Sequence, residues 1–275
     1  MSSQPKSYKQ NFVIKPHAEG KTGIFKDIGR LVQDTSTEHS IRSGVSITAL
    51  QAANLTWVLA DQQFLLLRVP EPGEEIEIET WPSALSKIIC RRDFTIRSKS
   101  GEVLGHSLTD WVVANLQTRK AERVPDFICN VYSPDEHFAM PELSLKPGRL
   151  PENTNQAVFT AESQDIDINE HVTSTRYVDF MLDTVYGKEG DLRRPLFYSI
   201  SYRAESLEGD RIESRIAPAD FAEIKTNDPN FASLLPAGEI KAYWHNLIKK
   251  KKKILFITKE EEKELTRGIS LWIEE

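Results

Sequence analysis

Cysteine is almost absent from this 275-residue chain: Cys90 and Cys129 lie far apart, with no Cys or His nearby at ligand spacing. Neither a disulfide framework nor a structural zinc site is therefore expected. Long apolar runs are missing too, since no segment approaches the ~20 residues needed to cross a bilayer. The opening Met1-Ser2-Ser3-Gln4-Pro5-Lys6 has no apolar signal core, so the expected location is cytoplasmic. Positive charge is in deficit, 35 Lys and Arg against 41 Asp and Glu for a net charge of −6, which argues against a general nucleic-acid binder. A polyanionic partner would have to dock locally. Gly-x-Ser-x-Gly, phosphate-binding glycine loops, His-Glu-x-x-His and Cys-x-x-Cys do not occur, and Gly105-His106-Ser107-Leu108-Thr109 lacks the second glycine. Serine-hydrolase, nucleotide-dependent and zinc-dependent chemistries recede, and neither cofactor nor metal is expected.

The composition, 39% hydrophobic and 28% charged with 13 Gly and 14 Pro, suits an ordered protein of one large or two modest domains. Tyr8 to Ile14 reads as a strand, followed by a polar loop. Ile47, Leu50, Ala53 and Trp57 recur at helical spacing behind Ser46, which predicts an amphipathic helix over Ser46 to Gln63. The turn signal Pro70-Glu71-Pro72-Gly73 precedes the alternating Glu75-Ile76-Glu77-Ile78-Glu79-Thr80-Trp81, a half-buried strand, and strands over 92–97 and 107–114 complete an antiparallel meander.

Residues 140–155, with three prolines and a glycine, suit an extended connector. Beyond it the same order returns: a strand from Ala157 to Ala161, a loop, a helix from about Thr173 to Tyr186, and a strand from Phe197 to Arg203. Leu207 to Glu213 parallels Pro72 to Glu77, and Gly268 to Ile273 parallels Ser107 to Val112. Duplication explains this more economically than chance, and implies an α+β chain of two similar domains, 1–140 and 156–275, joined by residues 141–155.

The segment with most chemistry is Gln164-Asp165-Ile166-Asp167-Ile168-Asn169-Glu170-His171-Val172. In extended backbone Asp167, Asn169 and His171 would share one side. A carboxylate, an amide and an imidazole suit acyl-bond hydrolysis, and amides at the N-terminus of the following helix could hold an oxyanion. Alternatively, Asp167 and Asn169 form an Asx turn that caps the helix, with His171 packed inside.

This loop, followed by Arg176-Tyr177, resembles the Asp-x-Asn-x-His-Val segment of plant and bacterial acyl carrier protein (ACP) thioesterases. Glu79-Thr80-Trp81-Pro82, Arg91-Arg92-Asp93-Phe94, Trp111-Val112-Val113 and Thr118-Arg119-Lys120 resemble that family's first-half landmarks in the same order, so the likeness covers most of the chain. The resemblance implies two tandem hotdog domains and release of fatty acid from acyl-ACP, with acyl carrier protein as partner; tandem hotdogs can pair within the chain, between chains or both, and a homodimer is the expected assembly. It assigns catalysis to Asp167, Asn169 and His171, and the strand acid to Glu205. Ser206 replaces the cysteine of plant members, which removes a thiolate route and leaves Ser206 as an accessory candidate; Thr173-Ser174 stands where two asparagines are common. The alternatives are an acyl-CoA thioesterase and a non-catalytic acyl-binding hotdog module.

Lys249 to Lys253 read as a solvated turn between two strands. The sharper alternative is a docking patch for the acidic carrier through Lys249, Lys250 and Lys251, with Arg91, Arg92, Arg119, Lys120 and Arg123 as further candidates.

Overall fold

The computed structural model describes residues 7–146, 148–152, 154–250 and 262–274. The chain divides into two compact units, Met1–Glu142 and Leu143–Glu275.

The first unit runs β1 (Tyr8–Val13), α1 (Gly20–Arg42), α2 (Ile47–Gln51), β2 (Leu55–Leu66), β3 (Glu75–Leu85), β4 (Ile89–Ser98), β5 (Val103–Asn115), β6 (Ala121–Glu122) and α3 (Asp126–Val131). Its strands follow the antiparallel order β1-β3-β4-β5-β2, with β6 beside β5. Alternation in Glu75-Ile76-Glu77-Ile78 sends both isoleucines inward, at no more than 1% exposure.

The helix expected over Ser46 to Gln63 is corrected. Only Ile47–Gln51 is helical, capped by the Ser46 hydroxyl, which accepts from the Ala49 amide at 3.2 Å. Asn54 then takes the left-handed conformation at φ 59°, which short polar side chains tolerate, and turns the chain into β2. Leu55-Thr56-Trp57-Val58-Leu59 is rich in β-branched and bulky residues, and strand pairing outweighs the helical spacing. The long helix lies earlier, in the stretch expected to be a polar loop. It buries Ile24, Phe25, Ile28 and Val32, then Thr35, Ser36 and His39, so its inward stripe loses apolar character after two turns. Phe25 meets Phe64 of β2 edge-on at 4.8 Å.

The second unit runs β7 (Asn155–Thr160), α4 (Ser174–Glu189), β8 (Arg193–Tyr202), β9 (Arg211–Ala219), α5 (Phe221–Asn227), α6 (Pro229–Ala232), β10 (Ile240–Lys250) and β11 (Glu262–Glu274). Its order, β7-β9-β10-β11-β8, reproduces that of the first unit strand for strand. Helix α4 starts where Thr173 Oγ1 accepts from the Arg176 amide and stops at Gly190, whose φ of 63° suits glycine. It buries Phe180, Met181, Leu182 and Val185 against the sheet. A Cβ at Gly268 of β11 would meet Ser199 O at 2.7 Å and Met181 S at 2.9 Å, so this close approach requires glycine.

Paired details mark the repeat. The Trp111 indole donates to Thr109 Oγ1 at 2.9 Å in β5, and the Trp272 indole to Ser270 Oγ at 2.9 Å in β11. A helix lying against an antiparallel sheet in each unit is the hotdog arrangement, so the fold is α+β with two tandem copies. Among the described residues no helix is long and apolar enough to cross a membrane.

Candidate active site

The loop between β7 and α4 is built by its own polar groups. Ser163–Asp165 forms one tight helical turn with a reciprocal cap, in which the Glu162 amide donates to Asp165 Oδ2 at 2.9 Å. Ile166 and Val172 then face each other as an antiparallel bridge, and the Asp167 amide donates to His171 O at 2.8 Å. At the tip Glu170 adopts φ 64° and its amide donates to Asp167 O at 3.0 Å.

This corrects the extended backbone expected from alternation. Asp167 Oδ1 turns toward its own loop and accepts from the amides of Asn169 at 2.8 Å and His171 at 3.2 Å. The Asx-turn alternative is therefore present in the geometry, and it coexists with the polar cluster. His171 is not packed inside: its Nε2 lies 3.3 Å from Glu205 Oε2, with the two side chains 24% and 42% exposed. The Asn169 side-chain carboxamide and Asp167 Oδ2 have no hydrogen-bond partner among the described residues.

Backbone bonds lock this loop to its neighbours. The Val172 amide donates to Ser206 O at 2.9 Å and the Thr173 amide to Asp165 O at 2.8 Å. Asp165, 5% exposed, sits 2.9 Å from Arg176 Nε, whose guanidinium covers the Phe180 ring at 4.5 Å. The loop thus delivers His171 to Glu205 at the start of α4. There the Arg176 amide is taken by Thr173, and the amides of Ser174 and Thr175, which have no intrahelical acceptor, favour developing negative charge.

Ser206 stands apart from this cluster. Its buried hydroxyl donates to Asp210 Oδ2 at 2.9 Å, and that oxygen also accepts from the Leu207 amide at 2.8 Å and Lys249 Nζ at 2.6 Å. Burial raises the Asp210 carboxyl, but Lys249, the Leu207 amide and the Ser206 hydroxyl together hold it below the usual carboxylate range. Ser206 serves the turn into β9 in this geometry.

The docking candidates divide by environment. Arg92 is 5% exposed and faces inward, with Nη1 2.7 Å from His39 Nδ1 and 3.2 Å from Thr80 Oγ1; this corrects its place among surface contacts, because β4 turns it toward α1. Arg91 grips Asp110 with two bonds of 2.8 and 2.6 Å and reaches Glu142 at 2.8 Å. Lys249 is committed to Asp210, and Lys250 lies 3.2 Å from Glu213. Lys251 and the turn expected at Lys249 to Lys253 fall, beyond Lys250, outside the described residues. Arg119, Lys120 and Arg123 are exposed.

Asp165, Arg176 and Tyr177 appear in the sequence reading only as members of the motif, with no role assigned. A usable signal was the Glu162-x-x-Asp165 spacing of a reciprocal cap; the Asp165–Arg176 pair gave none, because the two residues lie in different elements, the tight turn and α4, and only the intervening loop brings them together. Among the described residues no three His, Cys, Asp or Glu side chains converge as metal ligands. Cys90, in the first unit, is buried, which pushes its thiol up to about 12.

Comparison with known proteins agrees with this organisation. Residues 5–132 match the acyl-ACP thioesterase N-terminal domain and residues 149–273 its C-terminal domain. The oleoyl-acyl carrier protein thioesterase 1 of Arabidopsis thaliana is 29% identical over 229 residues, covering 76% of this chain and 63% of that protein. The palmitoyl-acyl carrier protein thioesterase of Cuphea hookeriana is 26% identical over 225 residues, covering 76% and 54%. The chain thus spans somewhat over half the length of these relatives. In fold, it resembles the crystal structure of an acyl-ACP thioesterase from Bacteroides thetaiotaomicron, with TM-score 0.75, 23% identity and coverage of 99% of this chain and 100% of that one. The 12:0-ACP thioesterase of Umbellularia californica superposes with TM-score 0.79 at 19% identity, covering 99% of each chain. With both of its domains matched and their hotdog architecture shared, this chain belongs to the acyl-ACP thioesterase family.

Proposed function

We propose that this protein hydrolyses the thioester between a fatty acyl group and acyl carrier protein, releasing free fatty acid and the carrier thiol. The observation that carries this reading is the His171–Glu205 pair, 3.3 Å apart and open to solvent, held beside Asp167 and Asn169 at the N-terminus of α4.

In this reading the acyl carbonyl lies at the first-turn amides of α4, which stabilise the oxyanion, and Asn169 orients it. Two routes use the same side chains. In one, water adds to the carbonyl carbon as its proton passes to Asp167; the tetrahedral adduct then collapses, the C–S bond breaks, and His171 protonates the departing sulfur. In the other, Asp167 adds directly and expels the thiolate, and water hydrolyses the acyl-aspartyl anhydride. Glu205 supports the charged imidazole in both. Two measurements separate them: in heavy-oxygen water, label in Asp167 arises only by the covalent route, and where the label enters the fatty acid alone, rapid quench and mass spectrometry for acyl-Asp167 decides whether an anhydride came first.

The functional test is release of free fatty acid from parallel acyl-ACP and acyl-CoA panels. Turnover of acyl-ACP that depends on Asp167 and Glu205 supports the reading, faster turnover of acyl-CoA transfers it to that carrier, and binding without turnover leaves an acyl-binding module. Docking of the acidic carrier falls to the exposed Arg119, Lys120 and Arg123 rather than to Arg92 or Lys249. A homodimer belongs to the same proposal and is checked by sedimentation. The Arabidopsis thaliana and Cuphea hookeriana relatives carry chloroplastic designations; the proposed cytoplasmic location of this chain is tested by cell fractionation.

A further inference from the structure

Tyr177 lies in the second turn of α4 and is 3% exposed, with its hydroxyl oxygen fully buried and without a hydrogen-bond partner among the described residues. Buried hydroxyls are almost always paired, because burial removes their water and leaves the loss uncompensated. A phenylalanine would fill the same volume at no such cost. The surroundings of this oxygen are polar: the Ser206 backbone faces it without forming a bond of ordinary geometry, and the carboxylates of Glu205, Asp210 and Asp167 all bear on it. Burial foremost, aided by these carboxylates, raises the phenol well above its usual value, so it stays protonated and meets a carboxylate as the donor. Asp210 Oδ2 already accepts from Ser206, Leu207 and Lys249, and Asp167 Oδ1 from two loop amides.

We infer that Tyr177 is a positioning residue whose buried hydroxyl donates to the Glu205 carboxylate in the working site and holds that carboxylate toward His171. The inference rests on the thioesterase reading of the site. The Tyr177 ring is braced edge-on by Tyr202 at 6.1 Å, and the Tyr202 hydroxyl donates to Ser174 O at 3.1 Å. Among the described residues, the titratable groups around Glu205 include His171 from the loop, Tyr177 from α4 and Lys249 of β10, whose Nζ reaches Glu205 O at 3.5 Å, and Asp210 at the entry to β9 bears on the same phenol.

The test is Tyr177→Phe, alone and with Glu205→Gln, assayed by fatty acid release from acyl-ACP as a function of pH. Tyr177→Phe should lower kcat roughly 10-fold with KM within about two-fold, and leave Tm unchanged or higher. The acid limb of its kcat/KM profile should move up by about half a pH unit, since a carboxylate that loses a donor binds its proton more tightly. Added to Glu205→Gln, it should cost nothing further. Wild-type kcat in Tyr177→Phe, a lowered Tm, or losses that multiply in the double variant would each overturn the inference. Glu205→Gln alone keeps the two failures apart: full activity in that variant overturns the reading of the site, whereas its loss beside an unimpaired Tyr177→Phe overturns only the role of Tyr177.

Discussion

Asp167 is both a candidate reacting group and the acceptor that shapes its own loop, and two substitutions separate these roles. Asp167→Ala removes the acceptor of the Asn169 and His171 amides, held at 2.8 and 3.2 Å. Hydrogen bonds to a charged acceptor contribute ~1.5–3 kcal/mol each when buried. This loop is half-exposed, so water re-pairs the freed amides and the expected total falls to about 1–3 kcal/mol. At roughly 4 °C per kcal/mol for a domain of this size, Tm should drop by about 4–12 °C. Asp167→Asn keeps an oxygen at the same position, and exchanging charged for neutral acceptors should cost about 1 kcal/mol or less. For catalysis the ranking disappears, because an amide neither attacks a thioester nor takes a proton from water. Both variants should release fatty acid at least ~100-fold more slowly than wild type. Single-turnover release from acyl-ACP beside a thermal melt reads both quantities on one preparation. If Asp167→Asn keeps more than about a tenth of the wild-type rate, Asp167 only caps the loop and the chemical argument fails. Equal loss of stability in the two variants would refute the hydrogen-bond account of the loop.

Three further outcomes follow from the geometry. Gly268→Ala places a methyl 2.7 Å from Ser199 O and 2.9 Å from Met181 S, and should destabilise the second unit by about 1–3 kcal/mol, read as a lower denaturant midpoint; an unchanged midpoint would mean that α4 and β11 can separate freely. Burial lowers His245 and His39 to about 3, with Arg92 adding to the effect at His39, and lowers His106 to about 4. The unfolded chain therefore takes up protons first, and stability should fall as pH drops below about 6.5. Urea midpoints that stay flat from pH 7 to pH 4.5 would contradict this, and His245→Gln should flatten the slope. Charge reversal at Arg119 and Lys120 should raise KM for acyl-ACP by about 3–10-fold at low salt, leave acyl-CoA turnover alone, and lose its effect at ~0.5 M salt; equal effects on both carriers would remove these residues from docking.

Much of this architecture was legible in the residues, and the failures have definite physical causes. Strand β3 announced itself because one of its faces is buried and the other wet, which forces strict alternation. Helix α4 announced its start through Thr173, a hydroxyl that caps the first turn. Helix α1 did not, since its inward face ends in Thr35, Ser36 and His39, and no apolar stripe marks those turns. Strand β2 was mistaken for helix because Leu50, Ala53 and Trp57 keep a helical interval by coincidence, while Asn54 breaks the chain between them. At the site, the residue types pointed to hydrolysis, but side-chain alternation predicted their directions wrongly. Asp167 satisfies nearby amides first, and only folding brings Glu205, thirty-four positions later, to His171.

The repeat explains why the chemistry described here sits in one half. Gly73 donates to Ile14 O at 2.8 Å and Ile14 to Glu74 O at 2.9 Å; Gly209 donates to Ala161 O at 2.8 Å and Ala161 to Asp210 O at 3.0 Å. Leu67 and Arg68 share Leu104 O as Arg203 and Ala204 share Leu265 O. These matched bonds set the register without any appeal to side-chain identity, and in that register Val69 occupies the position of Glu205 and Pro70 that of Ser206. Val69 is 4% exposed, so the first half places an apolar group where the second places an acid. The approach to the helix differs as well. Between Ile14 and α1 there are five residues, 15–19, whereas between Ala161 and α4 there are twelve, 162–173. Five residues cannot accommodate the reciprocal cap, the Ile166–Val172 bridge and the Asp167-centred turn that together present His171. One copy kept the scaffold alone, while the other carries the longer loop, and that difference in loop length is the structural origin of a single Asp-Asn-His-Glu cluster among the described residues.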